Sequence, residues 1–191
     1  MKKINIIAVA VLSAIIPVAA FANTSVGVGY SNVHITGHGT LPAANVFAGD
    51  LYSNNVVAWA GATLANGYDS VHASVGKRIQ AGYVVVEPFA TVGFIHANYA
   101  PTAPITDDAY VLAGADMYVP ITPRVDVEVG GGYGHTIATA GGIGGPVYRG
   151  NATLNFGLAK HVVCGLDVDY TRLPAMPNIV SYGAGISYHF S

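Results

Sequence analysis

The amino-acid sequence predicts an all-β protein, a closed antiparallel up-and-down β-barrel that crosses a membrane with ten strands. Of its 191 residues, 52% are hydrophobic and 9% are charged, whereas soluble domains carry about 25% charged residues. A helical membrane protein needs apolar runs of about 20 residues, and after residue 22 polar residues or glycine interrupt every apolar stretch. An apolar chain without long apolar runs is typical of transmembrane strands, in which only alternate residues contact lipid.

The first 22 residues have the pattern of an export signal that is cleaved after translocation. Lys2 and Lys3 supply positive charge, an apolar stretch follows, Pro17 ends it, and the Ala-Phe-Ala sequence at 20–22 matches the cleavage pattern. We therefore predict a signal peptide over residues 1–22 and a barrel domain over residues 23–191. A membrane-anchoring helix is the alternative, and the short apolar stretch with Pro17 disfavours it.

Ten segments of the mature chain alternate with the period of two that β-strands show. These segments are residues 24–35, 46–52, 56–64, 70–79, 83–98, 109–121, 124–137, 149–161, 165–173 and 179–190. Merging 46–52 and 56–64 into a long first loop gives the alternative of eight strands. Pro88 removes one ladder hydrogen bond within the segment 83–98, so we expect a bulge or kink there.

The breaks between these segments are of two alternating kinds. Residues 53–55, 80–82, 122–123 and 162–164 form the predicted tight turns, and residues 36–45, 65–69, 100–108, 138–148 and 174–178 form the predicted loops, which are generally longer. Outer-membrane barrels have short periplasmic turns, longer outward loops and an even strand number. The alternation therefore predicts that both termini lie in the periplasm.

The alternating faces differ in composition. In the last segment Tyr182, Ile186 and Tyr188 share one face, and glycine, serine and histidine share the other. A half-buried soluble sheet shows the same alternation, but its polar face would carry many Lys and Glu residues. Here the polar positions hold mostly Gly, Ser, Thr and Asn, which favours the interior of a barrel over a solvated surface.

Sparse charged residues occupy the predicted inward face. They are Asp50, Arg78, Glu87, Asp116, Asp126, Glu128, Arg149, Asp167 and Asp169. One interpretation is a packed polar interior in which the two arginines are held by surrounding carboxylates. The other is a narrow, cation-preferring water path lined by the excess of carboxylates.

Aromatic residues cluster toward the ends of the predicted strands. Those expected to form girdles at the two membrane interfaces are Tyr30, Tyr83, Tyr133, Tyr170, Tyr182, Tyr188 and Phe190. Ordinary aromatic residues of a soluble β-sheet core are the alternative.

The C-terminal segment SYGAGISYHFS resembles the last strand of outer-membrane barrels, with alternating apolar residues and an aromatic residue near the end. It departs from that pattern because Ser191, not Phe190, is last. The segment 87–94 (EPFATVGF) resembles a strand of small OmpA-like and opacity-type barrels. The resemblance covers the mature chain and implies a Gram-negative outer-membrane protein, inserted by the barrel-assembly machinery and surrounded by outer-membrane lipid and lipopolysaccharide.

Charge and cysteine content exclude other classes. The chain has eight basic and ten acidic residues, and removal of Lys2 and Lys3 leaves six basic residues and a net charge of −4, which disfavours nucleic-acid binding. The single cysteine, Cys164, cannot form an intramolecular disulfide. We expect no cofactor or metal, and the oligomeric state stays open.

The function expected from these features is a structural, surface or small porin-like role in the outer membrane. A surface adhesion or host-interaction barrel that acts through its outer loops is the alternative. Asp167 and Asp169 share a face, but they lack a third ligand nearby in sequence, which disfavours metal binding or catalysis. His34-x-Thr36 differs from the His-x-Ser motif of barrel deacylases, so we predict that the protein is not an enzyme. A soluble exported β-sandwich is a further alternative, and it is the one that does not belong to the membrane proteins.

Overall fold

The computed structural model describes residues 23–98, 106–139, 144–174 and 176–190. The predicted signal peptide, residues 1–22, lies outside this part of the chain. The described residues are all β, and they contain no helix long and apolar enough to cross a membrane.

Antiparallel strands form one closed sheet. The strands are β1 (Thr24–Ile35), β2 (Gly39–Leu51), β3 (Val56–Ala65), β4 (Tyr68–Lys77), β5 (Ile79–Ala81), β6 (Val84–Ala97), β7 (Thr106–Thr122), β8 (Val125–Thr139), β9 (Pro146–Ala159), β10 (Val162–Arg172) and β11 (Ile179–His189). Each strand pairs with its sequence neighbours, with β4 and β5 both on β6, and β1 pairs with β11 to close the barrel. Since β4 and β5 form one crossing, the barrel has ten strands as predicted, and the eight-stranded alternative is wrong.

The interruption between β4 and β5 is explained by Pro88. Gly76 pairs with Phe89 and Ile79 pairs with Val86, so the register is the same on both sides of the gap. This register places Pro88 opposite the end of β4, where it has no N–H to donate to the ladder. The expected bulge is therefore wrong: a ladder hydrogen bond is lost without a register shift.

The first hairpin is tighter than predicted. Strand β2 begins at Gly39, so the predicted loop 36–45 is a short turn closed by a hydrogen bond from the His38 N–H to the Ile35 carbonyl, 2.9 Å long. Gly37 has φ 82° and Gly39 has φ 104°, a region that favours glycine. Two glycines thus end the turn early, and residues 39–45 continue the sheet.

Other boundaries also shift. The predicted loop 65–69 is the two-residue turn 66–67, with Gly67 at φ 88°, and the predicted tight turn 162–164 lies at 160–161. Strands β7, β8 and β9 extend into the predicted loops 100–108 and 138–148. We call the end of the barrel that holds residues 23 and 190 the terminal end, and the opposite end the loop end.

Strand alternation separates an inner and an outer face. On β10, Asp167 and Asp169 line a central cavity, whereas Leu166 and Val168 on the outer face are each 50% exposed. The same alternation continues on β11, where Ser181, Ser187 and His189 line the cavity and Tyr182, Ile186 and Tyr188 are exposed on the outside.

Gly134 on β8 is a position where the sheet leaves no room for a side chain. A Cβ atom there would overlap the Val111 carbonyl oxygen and approach the Leu112 Cα atom at 2.5 Å, and both are backbone atoms of β7.

We expect Gly134→Ala to lower the free energy of unfolding by about 1–3 kcal/mol, because the strands must separate. The measurement is the urea midpoint of the refolded protein. The control is Gly150→Ala on β9, where the nearest atom is 3.8 Å from the added Cβ. Equal midpoints for the two variants would show that the strand spacing is wrong.

Candidate functional site

The barrel encloses a cavity of about 1030 Å³. Its lining begins at the terminal end, with Asn23, Tyr83 and Lys160, and reaches Tyr110 and Ile179 inside the barrel. All nine charged residues predicted to face inward, including Asp50, lie on this lining. The cavity is therefore the place where the charged groups of the barrel meet.

Toward the loop end, buried apolar side chains fill the interior. We call this cluster the apolar plug; its main members are Val33, Ile35, Tyr68, Ile95, Tyr110, Leu112, Val147, Leu173, Met176 and Ile179. Leu173 and Met176 belong to the segment that joins β10 to β11, and both are less than a tenth exposed. Among the described residues, the cavity thus has a terminal mouth and an apolar wall at its other end.

Strand register arranges three of the carboxylates, Glu87, Asp116 and Asp169, in one row around the wall. Glu87 on β6 is opposite Asp116 on β7, and Asp116 is opposite Gly130 on β8. The row continues through Asn151 on β9 to Asp169 on β10. Directly opposite residues have Cβ atoms about 4.5–5.5 Å apart, so the row forms a continuous polar band.

Arg78 begins this band at its β5 end. Its Nε donates a hydrogen bond of 3.0 Å to Glu87 Oε2, and the Glu87 side chain is only 1% exposed. The guanidinium lies 5.2 Å from the centre of the Tyr118 ring, a distance typical of a cation–π contact. Arg78 thus neutralises the most buried carboxylate of the band.

Arg149 occupies the other side of the cavity. Its Nη2 lies 3.5 Å from Asp169 Oδ1, and its guanidinium lies 5.7 Å from the Trp59 ring centre. Trp59 also packs edge-on against His72, with ring centres 4.8 Å apart. Each arginine therefore has one carboxylate and one aromatic partner.

The remaining carboxylates have amide partners or none. The Asn151 side chain donates to Glu128 at 3.1 Å, and the Asn155 side chain donates to Asp126 at 2.9 Å. Asp116 Oδ1 is buried and has no hydrogen-bond partner among the described residues. Because amides carry no charge, the lining has two guanidiniums for seven carboxylates, and Asp50 is one of the seven.

Sequence reasoning missed three features of the interior. Trp59 and Phe47 line the cavity, although neither was predicted from the sequence as an inward residue. The Phe47 ring lies over Gly27 and occupies the space that a side chain at position 27 would need. The apolar plug was also missed, because apolar residues such as Val33 and Ile95 sit inward in strands whose outer faces are apolar too. A run of apolar residues on both faces at the loop ends of the strands was the available signal.

The predicted girdle residues occupy several settings. Tyr30, Tyr133, Tyr170, Tyr182 and Tyr188 lie on the outer face, Phe190 follows β11, and Tyr83 lies in the turn after β5 at the cavity mouth. The rings of Tyr188 and Phe190 pack 4.9 Å apart at the terminal end. Tyr30 and Tyr133 lie nearer the middle of their strands, and Tyr133 contacts the Tyr148 ring at 5.2 Å.

The arrangement suits electrostatic binding better than direct metal coordination. In the part of the chain that the structure describes, no three His, Cys, Asp or Glu side chains are grouped closely enough to hold a metal ion directly. The cavity instead presents carboxylates spaced along the inner wall of the barrel.

Solved structures similar to this chain are membrane barrels. The β-domain of the Bordetella autotransporter BrkA is 11% identical, with a TM-score of 0.54 over 88% of this chain and 99% of that domain. The NanC porin is 10% identical, with a TM-score of 0.51 over 84% of this chain and 98% of the porin. The chain has the fold of an outer-membrane β-barrel.

This barrel is also similar to the KdgM porin in complex with oligogalacturonate, at 9% identity and a TM-score of 0.49 over 87% of this chain and 99% of that porin. No protein-family model matches the sequence, and the comparison with curated proteins finds no match. Identities this low establish the fold, so the function has to be argued from the barrel's own surfaces.

Proposed function

We propose that this chain is an integral outer-membrane barrel with a structural or surface role, whose interior is closed to through-diffusion by the apolar plug. The exposed apolar residues of the outer face are the observation that supports insertion into a membrane. Exposed large apolar residues on that face include Val28, Val92, Val111, Val129, Leu166, Val168 and Ile186. Soluble monomers rarely expose apolar patches larger than about 300–600 Å², and residues on several neighbouring strands form a wider belt that suits lipid.

The proposed orientation places the terminal end in the periplasm. The described turns there are short, at 52–55, 82–83, 123–124 and 160–161, and three longer connections lie at the loop end. Residues 1–22 act as the export signal in this proposal. Outer-membrane lipid and lipopolysaccharide contact the apolar belt, and the barrel-assembly machinery recognises β11 and Phe190. No catalytic activity is part of the proposal.

The apolar plug supports a closed barrel over an open pore. Leu173, Met176 and Ile95 are each less than a tenth exposed inside the loop end, and apolar constrictions exclude water and ions by dewetting. A small porin-like role is the second candidate, because the cavity of about 1030 Å³ is large enough for water and ions once the plug moves.

Membrane fractionation and bilayer recording test these proposals together. The mature protein should fractionate with outer membranes and migrate faster on gels before heating than after it; a soluble, heat-insensitive protein contradicts the membrane proposal.

In planar bilayers the wild type should show no steady conductance, whereas the double variant Leu173→Ser/Met176→Ser should open intermittently. Steady, cation-selective conductance of the wild type contradicts the closed barrel and favours the porin-like role.

A further inference from the structure

The cavity carries an excess of negative charge that its own residues do not neutralise. Seven carboxylates and two guanidiniums line it, so five carboxylates remain after each arginine has paired with one of them. Lys160 lies at the terminal mouth of the lining. Inside a wall surrounded by lipid, such charge is screened far less than at a protein surface.

The excess is concentrated where β6, β7 and β8 meet. Glu87 is directly opposite Asp116, and Glu128 lies diagonally from Asp116, two residues from the opposing Gly130. Such positions are separated by about 5 and 7–8 Å. Arg78 pairs with Glu87 and Arg149 pairs with Asp169, so Asp116 and Glu128 have no ion pair of their own among the described residues. Like charges directly opposite one another destabilise a sheet unless they are compensated.

Asp116 gives an independent sign that a partner belongs here. Its side chain lines the cavity and is 5% exposed, and its Oδ1 atom has no hydrogen-bond partner among the described residues. The carboxylate lies over Gly130, where a Cβ atom would displace it. A buried anionic oxygen without a partner is costly, and a cation beside the carboxylate offsets that cost.

We propose that the wall formed by Glu87, Asp116 and Glu128 binds a hydrated divalent cation that enters through the terminal mouth. Carboxylate oxygens are the preferred protein ligands of Mg²⁺ and Ca²⁺, and Mg²⁺ retains several waters in most sites. Retained water fits the spacing of these carboxylates, since no three acidic, His or Cys side chains of the described residues are close enough for direct coordination. The apolar plug lies between this wall and the loop end, so the bound ion exchanges with the terminal side.

The inference rests on the proposed membrane barrel, and Mn²⁺ binding tests it separately. The mature protein is refolded in detergent, and heat-modifiable migration confirms folding of every variant. Free Mn²⁺ is then followed by electron paramagnetic resonance. The wild type should reduce the free-ion signal, and excess Mg²⁺ should restore it. Asp116→Asn/Glu128→Gln should weaken binding about tenfold or more, because it removes two of the three charges.

Two further variants keep the test decisive. Asp107→Asn makes the same change on the outer face, where Asp107 bonds His96 away from the cavity, and it should bind Mn²⁺ as the wild type does. If the double variant fails to fold, Glu128→Gln alone should still weaken binding. A folded wild type that leaves millimolar Mn²⁺ free, or equal weakening by Asp107→Asn, overturns the cation site while the membrane barrel stands. A protein that stays soluble without detergent overturns the membrane barrel itself.

Discussion

Replacing Val168 with arginine is expected to lower the free energy of unfolding in phospholipid vesicles by about 2–4 kcal/mol, the cost of a basic side chain near the bilayer midplane. Val168 is half-exposed on the outer face of β10, opposite Ala152 and Tyr182 of the adjacent strands. An arginine there faces lipid, and neither of the residues directly opposite it on the adjacent strands is a carboxylate. The measurement is the urea midpoint of the barrel in vesicles, followed by intrinsic fluorescence or gel mobility.

Thr153→Arg is the matched control for this variant. Thr153 lines the cavity on β9, between Glu128 of β8 and Asp167 of β10, so an arginine there meets two carboxylates. We expect a midpoint close to that of the wild type. If Thr153→Arg were as destabilising as Val168→Arg, or if Val168→Arg were neutral, the assignment of the two faces would be wrong.

Replacing Arg78 with methionine is expected to destabilise the barrel by about 3 kcal/mol. Loss of one partner of a buried ion pair typically costs about 3–5 kcal/mol, and the lower end applies because solvent reaches the Arg78 side chain, which is 39% exposed. Glu87 would remain 99% covered with no guanidinium beside it. The same urea measurement in vesicles gives the change.

Two companion variants isolate the charge. Arg78→Lys keeps a cation near Glu87 and should recover a large part of the stability, although it loses the planar contact with Tyr118. Adding Glu87→Gln to Arg78→Met should also recover stability, because the carboxylate that lost its guanidinium partner is then neutral. The free-energy change caused by Glu87→Gln is measured in the wild type and again in Arg78→Met. If the two changes are equal, the two side chains do not interact and the pairing is refuted.

Much of the fold could be predicted because a barrel strand carries two independent signals. Period-two alternation gave β1 with its exact bounds, Thr24–Ile35, and placed Asp167 and Asp169 on the face that lines the cavity. The alternation of tight turns and longer loops predicted ten strands, and one of them is the continuous crossing formed by β4 and β5. Both signals are local, so each strand could be recognised without its partners.

Features that depend on partners could not be predicted in this way. The segment 36–39 contains two glycines and is followed by Pro42 and alanines, a composition that also fits a loop; the pairing of residues 39–45 with β1 decides the outcome. The apolar plug follows from the register that brings Val33, Ile95 and Val147 together from separate strands. Likewise, the hydrogen bond from Asn151 to Glu128 joins residues far apart in sequence. Only the closed sheet determines these contacts.

We infer a barrel whose strands present one face to lipid and the other to an aqueous cavity. Site-directed spin labelling along β10 tests it most directly: single cysteines are placed at successive positions of Val162–Arg172 in a Cys164→Ser background, in lipid vesicles. We expect collisions with oxygen to peak at Leu166, Val168 and Tyr170, and collisions with a water-soluble nickel chelate to peak at Asp167 and Asp169. Equal access of the nickel chelate to both sets of positions, or the absence of a period of two, would contradict it.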